Sequence, residues 1–429
     1  MIRHPTAAAG DTLRRAGIAN PARLLRLLNE TVAALELDLA GLVVLTEAAS
    51  GPYMVTPVLA ALAGADRVLA LTRDSRYAPA SIVIAQTQAL AAWAGLSVAH
   101  AGAIGAGGLA PAIGIHTVRS ADLFAAADIV TNLGFVRPLD AAAVSALKPT
   151  AVVPLMCEAW EVRPDDVALD VCRQRGIPVL GTNEDHPAVD VFAYSGPLCL
   201  KLLFDAQIEV HKSRIVIVSG DQFGPVIEHA LARAGAAVRR FPDLRNIPPA
   251  DLVGADALII ADYTRPDMIL GPDGDLTGAD LARTCPAATV VQFAGRVAVT
   301  DLTRAGIAVH PGLEFGPHRM AVTLAGLGPR PVVELHAAGL KVGELAARAR
   351  LTGVPSAALT TVYFGGHVTG VAVAGLLTEP RWLGQETGHS ERFPEKLRRY
   401  FPAPLASHSS STTCKNWVLT LNAKHSVPT

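Results

Sequence analysis

The stretch Arg214-Ile-Val-Ile-Val-Ser-Gly-Asp-Gln-Phe-Gly224 decides the fold. Residues 215–218 are an apolar, β-branched run; the run breaks at Ser219-Gly220, and after Gly224-Pro225 residues 226–234 have the period of a helix. Strand, tight turn and helix in that order open a nucleotide-binding βαβ unit, in which turn amides at a helix N-terminus can hold phosphate. The glycine fingerprint G-x-G-x-x-G is incomplete. The chain reads Ser219, Gly220, Asp221, Gln222, Phe223, Gly224, with only the third glycine in place. Asp221 stands where a pyrophosphate would approach the backbone, and its charge would repel it. These six residues are therefore either a cofactor-binding turn or simply a passage from sheet to helix.

The same alternation extends in both directions. Downstream, strands are expected at 237–240, 258–261, 289–293 and 307–309, and a Leu- and Ala-rich helix at 332–349. Upstream, strands are expected at 42–45, 68–71, 97–99, 129–131, 151–154 and 177–180, with helices near 82–94, 139–147, 165–175 and 191–203. Strands that alternate with helices argue a parallel sheet. The 429 residues are too many for one ordinary core. The expected fold class is α/β, with two Rossmann-like parallel-sheet domains flanking an interdomain cleft. Residues 1–40 read as a helical lead-in, 41–204 as a substrate-type domain and 205–330 as a domain of the NAD(P)-binding type. Residues 331–380 read as returning helices and 381–429 as a polar, disordered tail.

Composition narrows the classes. Half of the chain is hydrophobic, and charged residues make up 17%, below the usual share of about a quarter, which indicates a large buried core. The net charge of −1 marks no nucleic-acid partner. The five cysteines show no metal spacing, and the N-terminus lacks the apolar run of a signal peptide, so the expectation is a cytoplasmic protein with reduced thiols and no metal. Residues 351–378 contain no Asp, Glu, Lys or Arg and are long enough to span a bilayer. Pro355, Gly365, Gly366, His367 and Gly370 within them fit a loop and a buried helix better, so a membrane partner is disfavoured. A small-molecule substrate is the expected partner, and a homodimer is compatible with the sequence.

The order of motifs carries a resemblance. Ala127-Asp-Ile-Val-Thr, a helix, then Thr150-Ala-Val-Val-Pro resembles the substrate domain of the D-isomer-specific 2-hydroxyacid dehydrogenases (the formate/glycerate dehydrogenase-like superfamily). So does Cys172-Arg-Gln-Arg-Gly-Ile-Pro-Val-Leu-Gly-Thr-Asn183. The resemblance covers about 125–310 and implies an NAD(P)-dependent oxidoreductase, transferring hydride on a small polar carbonyl or hydroxyl compound in the cleft. It places Arg296, in Phe293-Ala-Gly-Arg-Val-Ala-Val-Thr-Asp301, at the substrate-orienting position, where a planar guanidinium grips a carboxylate. Glu314 would hold the acid/base histidine, which is His318 of Gly316-Pro-His or His367 of Gly366-His-Val-Thr-Gly370. The cofactor implied is NAD or NADP. Asp243 lies where a ribose-binding acid is expected, while Arg239 and Arg240 would suit a 2′-phosphate, and Asp262 and Tyr263 end the next strand. The ordinary role of the two arginines is a solvated strand end.

One loop departs from the family pattern. Met156-Cys-Glu158-Ala-Trp160-Glu161-Val-Arg163 replaces a glycine-rich loop whose amides hold the substrate carboxylate. It predicts a different substrate, an amine or a larger polar group that Glu158 or Glu161 neutralises. Asn132, Arg137, Asn183 and Glu184 would line the same cleft at strand C-terminal ends, where ligands gather in α/β sheets. Two alternatives stand beside this reading. The turn Glu47-Ala-Ala-Ser-Gly-Pro-Tyr53, with Arg73-Asp74, is weakly similar to a cofactor turn of S-adenosylmethionine-dependent methyltransferases, which would make the chain a non-redox transferase or lyase. Two glycines of that pattern are absent, at Ala49 and Tyr53. The other alternative is a ligand-binding or assembly protein that has lost its cofactor, for which Asp221 is the marker.

Overall fold

The computed structural model describes residues 7–100, 112–163, 165–355 and 377–378. His367 and the tail 381–429 lie outside the described residues, as does most of the uncharged stretch 351–378. The fold is α/β, built on parallel sheets. Its contacts divide into two compact units, one formed by residues up to Val189 together with those from Val332 onward, the other by Asp190–Pro331.

In unit 1, strands β1 (Val43–Glu47), β2 (Arg67–Leu71), β3 (Val98–His100), β4 (Ile113–His116) and β5 (Ile129–Val130) form a sheet in the order β3-β4-β2-β1-β5. All its pairings are parallel. A parallel bridge from Ile129 to Val152 leads to β6 (Val153–Pro154), which pairs in parallel with β7 (Val179–Thr182). Leu377–Thr378 adds an antiparallel pair on β7. The middle strands are buried along most of their length, which explains their continuous Val, Leu and Ile runs.

The helix Pro329–Leu351 begins at the end of unit 2 and, from Val332, packs within unit 1. Two glycines let it approach closely. A Cβ on Gly339 would run into Met156 Sδ, and one on Gly343 would lie 2.8 Å from Ile129 Cγ2 and 3.0 Å from Pro154 Cγ. On the same helix, buried Lys341 and Glu344 form an ion pair of 2.9 Å. Lys341 also donates to Glu36 O, and Glu344 accepts from Asp38 N, so both charges are compensated.

In unit 2, β8 (Arg214–Val218), β9 (Ala237–Phe241), β10 (Ala257–Ala261), β12 (Thr289–Ala294) and β14 (Val309–His310) form a parallel sheet in the order β14-β12-β10-β8-β9. A separate parallel ladder joins β11 (Met268–Leu270) to β13 (Arg296–Val297). From β8 the chain crosses to β9 on one side and then to β10 on the other, so the strand order reverses at β8 and its C-terminal end is a topological switch point.

Several elements differ from the sequence expectation. The strand Ile113–His116 and the helices Ala121–Ala126, Gly278–Thr284 and Val299–Arg304 were not anticipated, because each is too short for its period to register. The helix expected at 165–175 starts only at Leu169: Val167 bridges Leu139, and the Ala168 amide donates to Leu139 O. The helix expected at 139–147 likewise starts at Ala141, where the Asp140 carboxylate caps the Ala143 amide at 2.8 Å. Among the described residues, no helix is long and apolar enough to cross a membrane.

Candidate functional site

The turn after β8 is held by its own carboxylates. Asp221 Oδ1 accepts from Ser219 Oγ at 3.0 Å and from the Phe223 amide at 2.9 Å, and its Oδ2 accepts from the Tyr263 amide at 2.6 Å. Asp262, just after β10, accepts from the Gly220 amide at 3.2 Å and from Thr264 Oγ1 and the Arg265 amide, both at 3.1 Å. Burial pushes the Asp221 carboxyl above its ordinary range; the Phe223 and Tyr263 amides oppose that shift and the nearby Asp262 adds to it. Below the turn, the buried Phe223 ring stacks on Phe192 at 4.9 Å and tilts against Phe293 at 5.2 Å and Tyr263 at 6.2 Å. Gln222 is exposed at the helix start. A Cβ on Gly224 would lie 2.7 Å from Ser219 Cβ and 2.8 Å from Arg240 Cδ, so only glycine fits there.

The resemblance implies NAD or NADP at this turn. The switch point and Gly224 suit such a group, since the third glycine serves close helix–strand packing. The amides do not suit it: Phe223 N, at the helix start, is already bonded to Asp221, and Gly220 N to Asp262. The second-strand positions are engaged as well. Arg240 Nε pairs with Glu228 at 2.7 Å, Arg239 lies 3.5 Å from Asp251, and Asp243 binds the Arg245 guanidinium and amide, which pull its pKa well down. The residues present therefore do not fit a pyrophosphate in this arrangement, and no hydride step follows from it.

Of the catalytic residues implied by the resemblance, Arg296, Glu314 and His318 lie in unit 2, and His367 lies outside the described residues. Arg296 opens β13 and donates to Pro266 O at 3.4 Å. The bridge between Ala294 and Met320 brings the segment carrying His318 to the end of β12. His318 has a positive φ of 53°, and its Nδ1 donates to Tyr263 O at 3.0 Å, which makes Nε2 the basic nitrogen. The Tyr263 carbonyl thus orients this ring, where the resemblance implied Glu314. The Glu314 carboxylate accepts instead from the Thr300 amide at 3.5 Å.

In unit 1 the C-terminal strand ends gather acids. Glu47 ends β1; it is buried, accepts from the Phe135 amide at 3.0 Å, and leaves no room for a Cβ on Gly134. Burial raises its pKa, with the Phe135 amide and the Arg137 charge opposing. Arg137 itself pairs with Asp166 at 2.8 Å. After β5, buried Asn132 accepts from the Met156 amide at 2.7 Å and turns its Nδ2 toward Cys157 Sγ at 3.7 Å. After β6, buried Glu158 accepts from the Glu184 amide at 2.7 Å and is followed by the short 3-10 turn Ala159–Glu161 that carries Trp160. After β7, the Asn183 side chain accepts from the Asp185 amide at 3.0 Å, and Glu184 is only 5% exposed. Burial and the charges of Glu161, Glu158 and Asp185 drive the Glu184 carboxyl well above its ordinary range. Burial and the same acids Glu161 and Glu184 also keep Cys157 a thiol, which argues against a nucleophilic role.

The structure thus brings Asn132, Arg137, Glu158, Glu161 and Glu184 into one neighbourhood. Sequence reasoning passed over Cys157 and the buried His186, whose Nδ1 accepts from the Ala188 amide at 3.2 Å. The signal was present in the polar run Asn183-Glu-Asp-His186 directly after a strand. Among the described residues, no group of His, Cys, Asp and Glu is arranged to hold a metal ion.

No family model matches the sequence, and no curated protein does. Solved structures similar to the chain include one component of the dipicolinate synthase of Bacillus halodurans, at 12% identity and a TM-score of 0.43, covering 70% of this chain and 96% of that one. A dipicolinate synthase component of Bacillus subtilis is similar at 13% identity and a TM-score of 0.42, covering 74% and 98%. An NAD-dependent formate dehydrogenase from Staphylococcus aureus is similar at 11% identity and a TM-score of 0.37, covering 67% and 96%. The fold assignment itself stands on the strand orders given above.

Proposed function

We propose that the protein is an oxidoreductase on the D-2-hydroxyacid dehydrogenase plan whose substrate is a small polar molecule bearing a positive charge. The observation that carries the substrate class is the neighbourhood of Glu158, Glu161 and Glu184 at the strand ends of unit 1, where burial and the charges of Glu161, Glu158 and Asp185 raise the Glu184 pKa. A cation relieves that repulsion and a carboxylate substrate increases it. The redox class rests on the sequence resemblance, which implies NAD or NADP, although the turn after β8 does not offer its Phe223 and Gly220 amides to a pyrophosphate in this arrangement. Within unit 2, Arg296 and His318 are the residues that the resemblance implies for carboxylate binding and proton exchange.

Mass spectrometry of small molecules that co-purify with the full chain tests the substrate class. An amine or guanidine compound retained by the wild type and lost from Glu184→Gln supports it; a retained carboxylic acid without a basic group removes it. For the redox class, NADH or NADPH oxidation with that compound, or its oxidised form, is the assay, and an Arg296→Ala variant with unchanged rate takes Arg296 out of the site.

A second reading has a specific observation in its favour: Asp221 on the Phe223 and Tyr263 amides suits a ligand-binding protein that keeps the fold without a dinucleotide. Retention of the ligand with no turnover of either nicotinamide would select it.

A further inference from the structure

We infer that Asp221 is an internal anion occupying the phosphate position of the turn after β8, so that a dinucleotide enters unit 2 only by displacing it. This rests on the fold part of the proposed function and concerns a side chain to which that function gives no task. In a turn of this class the amide at the helix start is the donor offered to pyrophosphate. Here that amide, Phe223 N, donates to Asp221 Oδ1 at 2.9 Å. The other oxygen of the same carboxylate takes the Tyr263 amide from the neighbouring strand end at 2.6 Å, so the side chain spans the two sides of the switch point. Ser219 Oγ adds a third donor at 3.0 Å. Asp262 treats the preceding amide in the same way, accepting from Gly220 N at 3.2 Å.

Packing holds the arrangement in place. Phe223 is wedged among Phe192, Phe293 and Tyr263, which fixes the helix start relative to β10 and β12. Gly224 leaves no slack, because a Cβ there would lie 2.7 Å from Ser219 Cβ and 2.8 Å from Arg240 Cδ. A pyrophosphate at the Phe223 amide would meet the Asp221 carboxylate there, and juxtaposed like charges of this kind are strongly unfavourable. Replacing Asp221 removes the competing anion and returns two amides to the turn.

The test is NADH binding to the full-length protein, followed by nicotinamide fluorescence up to millimolar concentration, for the wild type, Asp221→Gly and Asp221→Asn, with circular dichroism confirming that each variant is folded. Asp221→Asn is the safeguard if the glycine variant does not fold, since it keeps an acceptor oxygen and removes the charge. The expected result is a dissociation constant at least about tenfold lower in a folded variant than in the wild type, as the loss of a facing like charge requires. An unchanged constant in a folded variant overturns the inference while leaving a dinucleotide-using oxidoreductase intact. Absence of NADH binding in all folded forms overturns both.

Discussion

The strand ends of the two units each carry acids drawn out of water, and they differ in the neighbours that face those acids. In unit 2 the carboxylates of Asp221 and Asp262 face backbone amides and a hydroxyl, so each charge has donors supplied by the fold. In unit 1 burial and three acid neighbours, Glu161, Glu158 and Asp185, push the Glu184 carboxyl well above its ordinary range, whereas the rise that burial and Asp262 give Asp221 is opposed by two amides. A carboxylate that spends its acceptors on the turn amides is part of the framework. A group of carboxylates that repel one another is costly to the fold, and perturbed groups of this kind collect at functional sites. The contrast directs attention to unit 1 for the ligand and gives Asp221 a structural task.

The largest effect should come from breaking the satisfied side. Asp221→Ala leaves the Tyr263 and Phe223 amides without their acceptor, and urea denaturation should show a loss of roughly 2–4 kcal/mol. A loss below about 0.5 kcal/mol would mean that the turn does not depend on this carboxylate. The opposite side should answer with the opposite sign. Glu184 has a folded pKa above its unfolded value of 4.5, so its contribution to stability is full below that value and is lost as pH rises through the folded pKa. Glu184→Gln should therefore be more stable than the wild type at pH 8, and the advantage should vanish toward pH 4. Thermal unfolding across that range checks it, and a gain independent of pH would contradict the assignment. The smallest effect belongs to the exposed rim of unit 2, where Arg240→Gln removes the pair with Glu228 and should change stability by less than about 1 kcal/mol in the same denaturation assay.

The sequence revealed much of this frame. The apolar runs that became β1, β2, β8, β10 and β12 are buried strands, and buried parallel strands write themselves as unbroken Val, Ile and Leu. The short β4 and the ladder of β11 with β13 were not legible, because two to four residues show no period. Asp221 was recognised as misplaced for a phosphate, but its bond to the Tyr263 amide joins residues 42 positions apart and leaves no local mark. The acids of unit 1 were visible one at a time, at 158, 161 and 184. Their mutual repulsion depends on β6 and β7 lying side by side, which only the folded sheet supplies.

The helix Pro329–Leu351 bears on the order in which the chain can fold during synthesis. Unit 2 is continuous from Asp190 to Pro331, so all of its strands are in hand once the ribosome passes that point. Unit 1 is not: the face of β5 and β6 that receives Gly339 and Gly343 is made long before the helix that covers it. At about 5–20 residues per second, that delay is on the order of ten to forty seconds. For that interval the apolar surface at Ile129, Pro154 and Met156 waits for its partner helix, as an uncovered apolar face on the nascent chain.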